Sequence, residues 1–192
     1  MNLTQRAKNI LLQPAQEWPV IDQEQGNAAE LFRSYIALLA AIGPVASIIG
    51  LSIFGVSVTV VGSYRLPLGN AIGHAVTTYV FALIGTYVLA LIIDALAPTF
   101  RGTKNNFQAL KVAAYSSTAA WLAGIFNLLP SLALLHILGL YSLYLLYIGL
   151  PVLMKAPKEK AMPYTIVVVI AAIVIFGVIG ALGSCFFTRP MP

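Results

Sequence analysis

Asp94 is the only acid inside a long apolar block of this 192-residue chain. An ionisable group in so apolar a stretch is costly, which makes it a candidate proton or ligand site. His74 lies twenty residues earlier on the same block, about 30 Å away along a helix, so the two cannot share a proton or a metal. Asp94 is close in sequence to Arg101 and Lys104, and to Lys111 if neighbouring helices are antiparallel. The expected role is therefore an ion pair that fixes loop and helix ends. His74 and His136 have no carboxylate or thiolate nearby, which makes a poor metal site; they are expected to be polar anchors, and no metal or cofactor is expected. Tyr141, Tyr144 and Tyr147 recur at three-residue intervals and share one slowly rotating helical face. They are expected to pack with their hydroxyls bonded to a neighbouring helix, and a polar cleft is the alternative.

Catalytic signatures are missing: no phosphate-cradling glycine loop, paired-histidine motif or serine elbow occurs. Ser116, Ser117 and Thr118 have no base within the same turn, and hydroxyls in apolar helices commonly bond their own backbone. No catalytic residue is assigned, and the chain is not expected to be an enzyme. An intramembrane enzyme would need two titratable groups converging at one depth.

These residues lie in a chain that is 59% hydrophobic and 9% charged, with a mean hydropathy of +0.89. Soluble domains average about 45–50% apolar and 25% charged, so the bilayer is the expected solvent. The net charge of +5 comes from short basic groups beside the apolar blocks, with no continuous basic face, so no nucleic-acid partner is expected. The single cysteine, Cys185, excludes an intramolecular disulfide and reads as a small apolar filler. Glu17, Asp22, Glu24 and Glu30 interrupt the first thirty residues, so no cleavable signal peptide is indicated.

A spanning helix needs about 20 mainly apolar residues to cross roughly 30 Å of hydrocarbon. Five segments qualify: Tyr35 to Phe54, with apolar character continuing to Val61; His74 to Leu96; Ala109 to Leu129; a fourth after Pro130 and Ser131 that extends to Met154; and Tyr164 to Phe186. Gly43-Pro44 should bend the first midway. The predicted fold is all-α, a five-helix transmembrane bundle over residues 35–186. A cytoplasmic leader precedes it at 1–34 and a periplasmic tail follows at 187–192.

Orientation follows from the cations, which short cytoplasmic connections retain. Arg6, Lys8 and Arg33 fall before the first span, Arg101, Lys104 and Lys111 between and beside the second and third, and Lys155, Lys158 and Lys160 between the fourth and fifth. Only Arg65 and Arg189 fall on the other side. The amino terminus is thus expected in the cytoplasm and the carboxyl terminus in the periplasm. In the leader, Leu3, Ala7, Ile10 and Leu11 share one face, with Arg6, Lys8 and Gln13 directed away before Pro14. This pattern predicts a short helix in the inner headgroup layer. Gly177, Gly180 and Gly183 allow close helix approach, within the bundle or in a homo-oligomer.

The run Leu12-Gln13-Pro14-Ala15-Gln16-Glu17-Trp18 resembles the bacterial branch of the Yip family, membrane proteins named for interaction with Ypt/Rab GTPases. Phe100 to Phe107 (FRGTKNNF), Lys111 to Ser116 (KVAAYS) and Leu140 to Pro151 (LYSLYLLYIGLP), followed by Lys155 to Ala161, are similar to it as well. The resemblance implies a cytoplasmic amino terminus and five spans. Eukaryotic members are associated with small GTPases through a longer amino-terminal region, and the short leader here argues against GTPase binding. The family supplies no catalytic residues.

These readings point to a non-enzymatic inner-membrane protein that organises lipid or partner proteins through the cytoplasmic ends of spans two to five. The candidate interaction residues are Asp94, Arg101, Gly102, Lys111, Tyr115, Tyr141 and Tyr144. A transporter or channel for a small or lipidic solute, with its path between the tyrosine face and Asp94, is the alternative.

Overall fold

The computed structural model describes residues 2–58 and 62–187. Arg189 and most of the expected outer tail lie outside the described residues, as do the side-chain surroundings of Gly180, Gly183 and Cys185. Helices dominate: α1 (Leu3–Leu12), α2 (Pro14–Gln23), α3 (Ala28–Leu31), α4 (Ala37–Ala40) and α5 (Ile42–Ile49) precede a short hairpin of β1 (Val56–Val58) and β2 (Gly62–Tyr64). Then come α6 (Leu68–Leu96), α7 (Asn106–Ser116), α8 (Thr118–Ala123), α9 (Tyr141–Leu153) and α10 (Lys158–Phe187).

Four stretches among the described residues are long and apolar enough to cross a membrane: Ala28–Phe54, Leu68–Phe100, Ser131–Leu153 and Lys158–Gly177. The first is broken at Ala41, just before Pro44, whose missing amide proton and ring interrupt the helix one turn upstream. It stops at Gly55, which takes a left-handed φ of 72°. Val56–Val58 then pair antiparallel with Gly62–Tyr64, Val56 opposite Tyr64, and Val61, where the expected apolar stretch ends, lies outside the described residues.

The expected third span is not among the four. It is α7 and α8, offset at Ser117 and ending in a 3-10 turn at Gly124–Leu128. Every residue from Ala109 to Ser116 is buried, Lys111 included. The segment is wrapped by α6, α9, α5 and the amino-terminal helices. A helix shielded in this way tolerates a lysine and three hydroxyls that a lipid-facing helix would not. The fourth stretch begins as a 3-10 helix over Pro130–Leu140 before α9. Close backbone approach joins the first and third segments at Gly43 and Gly124, where a Cβ on Gly124 would come within 2.7 Å of the Gly43 Cα.

The leader differs from the interfacial helix expected of it. Ala7 and Ile10 of α1 are buried, and Trp18 and Ile21 of α2 are fully buried beside them, so the apolar face of α1 meets protein. Arg6, expected to point away, is 4% exposed.

Candidate functional site

Pro14 starts α2 at a position where its missing amide proton costs nothing. From there α2 runs parallel to α9. Asp22 pairs with Lys155, the Trp18 ring lies against Gly149, and at the preceding turn the Leu11 carbonyl accepts from the Tyr141 hydroxyl at 3.0 Å. Helix α1 folds back over α2 and α8, closing a helical hairpin whose tip is Leu12 and Gln13.

Charge holds this hairpin shut. Arg6 donates to both Glu17 and Glu24, and Asn9 donates to the other Glu17 oxygen at 3.1 Å. Buried charges are tolerable only when paired and hydrogen-bonded, as these are. The Arg6 guanidinium also lies 5.6 Å from the Tyr115 ring centroid. Tyr115 meets Trp18 and Tyr35 edge-on, at centroid distances of 6.3 and 4.7 Å. The Tyr35 hydroxyl shares a 2.8 Å hydrogen bond with Thr118. Lys111 reaches the end of α2, donating to the carbonyls of Ile21 and Glu24 at 2.8 and 2.6 Å. A cation there satisfies carbonyls that a helix end leaves free.

Between the leader and α7 is a recess of about 410 Å³, lined by Arg6, Glu24, Glu30, Tyr35, Phe107, Lys111 and Tyr115 among others. Its floor is rigid, because each charged group there except Glu30 has a protein partner.

The second connection docks at the same end. Arg101 takes a left-handed φ of 60°, and Gly102 and Thr103 then bond to Ala97 and Met154 carbonyls at 2.8 and 2.7 Å. A Cβ on Gly102 would come within 2.7 Å of the Met154 carbonyl oxygen, so only glycine fits. Gln108 donates to the Asp22 carbonyl and carboxylate at 3.1 and 3.2 Å. The leader, the 97–105 connection and the 154–158 connection therefore meet in one assembly.

The matching family is the Yip1 domain, over residues 8–179. The chain belongs to the Yip1 family. It is also similar to inner membrane protein YohC of Escherichia coli strain K12, at 25% identity over 156 residues, which cover 79% of this chain and 80% of that protein. The same-named protein of Escherichia coli O6:H1 strain CFT073 matches to the same extent. No solved structure matches.

The stretches that carry the Yip resemblance are the ones that touch: Trp18 with Gly149, the 100–107 loop with Met154, and Lys111 and Tyr115 with the leader. Of the predicted interaction residues, Lys111 and Tyr115 share the recess, Gly102 docks its loop, and Tyr141 anchors the hairpin tip. Arg101 supplies the turn, and its side chain is exposed. The Tyr144 ring lies 5.3 Å from that of Tyr141, tilted by 38°, but it and Tyr147 are 48% and 37% exposed, so the tyrosine face turns outward after its first member.

Asp94 departs from the expected ion pair. Its Oδ1 has no hydrogen-bond partner, and no salt bridge reaches it among the described residues, because Lys111 is committed to the leader. His136 is the anchor expected of it, bonded to Asn127 at 2.9 Å, while His74 is exposed. Arg6, Glu17, Glu24, Trp18 and Gly149 were absent from the predicted set. The available signal was a buried-type tryptophan between acids whose charge matched a lone arginine on the apolar side of α1.

Proposed function

We propose that this Yip1-family chain is a non-enzymatic protein of the bacterial inner membrane that crosses five times and organises partner proteins or lipid at its cytoplasmic end. The fifth crossing is the buried segment of α7 and α8. The gathering of Arg6, Arg101, Lys104, Lys111 and Lys155 into segments that meet at one end supports a cytoplasmic amino terminus. A carboxyl-terminal alkaline phosphatase fusion is expected to be active and a fluorescent-protein fusion dark; the reverse pattern overturns the topology.

One observation carries the organiser reading. Helix α1, residues 24–35 and α7 line one polar recess at Glu24, Glu30, Lys111 and Tyr115, with the 154–158 connection docked on the same leader and the 97–105 connection docked on Met154, a form suited to holding a partner. Affinity purification in native lipid discs should enrich a defined set of companions that Lys111→Ala and Tyr115→Ala deplete. Normal abundance, companions and phenotype in both variants would end the reading.

Transport remains a rival because an apolar groove opens beside Tyr141. It requires a water-accessible path from Tyr141 to Asp94. Thiol labelling of cysteines placed at both positions tests it, and two sealed sites exclude it.

A further inference from the structure

The contacts along α9 measure how far the leader reaches. Asp22 meets Lys155, Trp18 meets Gly149 and Leu11 meets Tyr141. From Lys155 back to Tyr141 is about 20 Å at 1.5 Å per residue. The other wall agrees. Leu11 lines the same groove as Ala119, which is also about 20 Å from Asn106, where α7 begins. On the five-crossing placement proposed above, with Lys155 and Asn106 at the cytoplasmic interface, the hairpin tip therefore reaches at least to the middle of a hydrocarbon layer roughly 30 Å thick.

The outward face of this hairpin is polar. Lys8, Gln13 and Gln16 are exposed, and Lys8 has no salt-bridge or side-chain hydrogen-bond partner among the described residues, whereas the neighbouring Gln5 donates to Asn9 at 2.7 Å. Unpaired polar groups and a cation at that depth need a partner that acyl chains cannot provide. One turn beyond Lys8, on the same side of α1, Leu11 borders a groove of about 540 Å³ lined by Leu122, Phe126, Ile137, Leu138 and Tyr141. Ile137 and Leu138 on its rim are 61% and 56% exposed, so the groove opens sideways to lipid.

We propose that the leader is a re-entrant hairpin and that this groove is a phospholipid site, with an acyl chain in the groove and the phosphate drawn below its leaflet to Lys8. A cation beside an apolar channel matches a phosphodiester joined to a hydrocarbon chain, and the glutamines supply further donors to its oxygens. Lipid held there would also thin the cytoplasmic leaflet around the protein, which is how a protein of this size could organise membrane.

The test uses the full chain in discs of phosphatidylethanolamine and phosphatidylglycerol, doped with a phosphatidylglycerol bearing a photoactivatable group on its acyl chain. Crosslinks should concentrate on the peptide holding Ile137 and Leu138, above the yield at lipid-facing Ile173, which is 66% exposed. Lys8→Gln should cut the groove yield at least three-fold and leave the Ile173 yield unchanged, and Lys8→Arg should restore it. Equal yields at the two places, or a groove yield insensitive to Lys8→Gln, overturn the site. A nitroxide at Leu12→Cys in a Cys185→Ser background reads depth independently. Mid-bilayer depth supports the re-entrant placement, whereas headgroup depth removes it, and the site with it, without touching the organiser reading.

Discussion

The Trp18 indole occupies the space that any side chain at Gly149 would need: a Cβ built there would approach the ring to 2.6 Å. This contact is the middle of three that seat the leader on α9, between Asp22–Lys155 and Leu11–Tyr141, and Trp18, Ile10 and Ile21 are fully buried.

Gly149→Ala is predicted to destabilise the protein by about 1–3 kcal/mol through overpacking, and Trp18→Ala by about 3–5 kcal/mol through the cavity it leaves. The two in combination should cost clearly less than their sum, because the second change removes the clash created by the first. Thermal unfolding in detergent measures all three. Strict additivity would mean that the leader is seated elsewhere.

Arg6→Ala strands two carboxylates, one of them on Glu17, which is 6% exposed. Breaking a buried pair from one side costs about 3–5 kcal/mol, whereas replacing both partners with apolar residues of similar size is far milder. Arg6→Met with Glu17→Leu should therefore be more stable than Arg6→Ala alone. Protease sensitivity of the first thirty residues should rank the variants in that order, and the opposite ranking sinks the assignment.

Arg101 and Gly102 separate by backbone geometry. Arg101→Gly should be neutral or slightly stabilising, since glycine adopts the left-handed conformation without the cost of roughly 1–2 kcal/mol that other residues bear. Gly102→Ala should destabilise, because its Cβ collides with the Met154 carbonyl oxygen. Finding both glycine and alanine tolerated at these two positions would show that the loop does not dock as described.

Asp94→Asn removes a charge whose Oδ1 has no partner. Stability is expected to stay level or rise, as the buried, unpartnered Oδ1 of this half-buried carboxylate carries a penalty of its own. A large loss in the same unfolding assay would reveal a counter-charge and restore the ion-pair expectation.

The helical, membrane-crossing character was legible because length and hydropathy are properties of each segment alone. The break in the first stretch near Pro44 was legible for the same reason, since proline acts on the turn before it. The third segment shows the limit of that reasoning. From Ala109 to Leu129 its sequence reads as one crossing like the rest, but the structure buries every residue from Ala109 to Ser116 and offsets the helix at Ser117, so the polar residues of that half answer to neighbours rather than to lipid.

The sequence by itself determined which residues could not face water, which loops share a sign of charge, and that family membership would run through nearly the whole chain. Tertiary structure alone decided where the leader goes. An amphipathic helix has the same pattern whether its apolar face meets a headgroup layer or a protein groove, and the choice depends on a hole at Gly149, carbonyls within reach of Lys111 and two acids positioned for Arg6. The sequence left Lys111 open as a partner for Asp94; in the fold its ammonium donates instead to the Ile21 and Glu24 carbonyls at the end of α2.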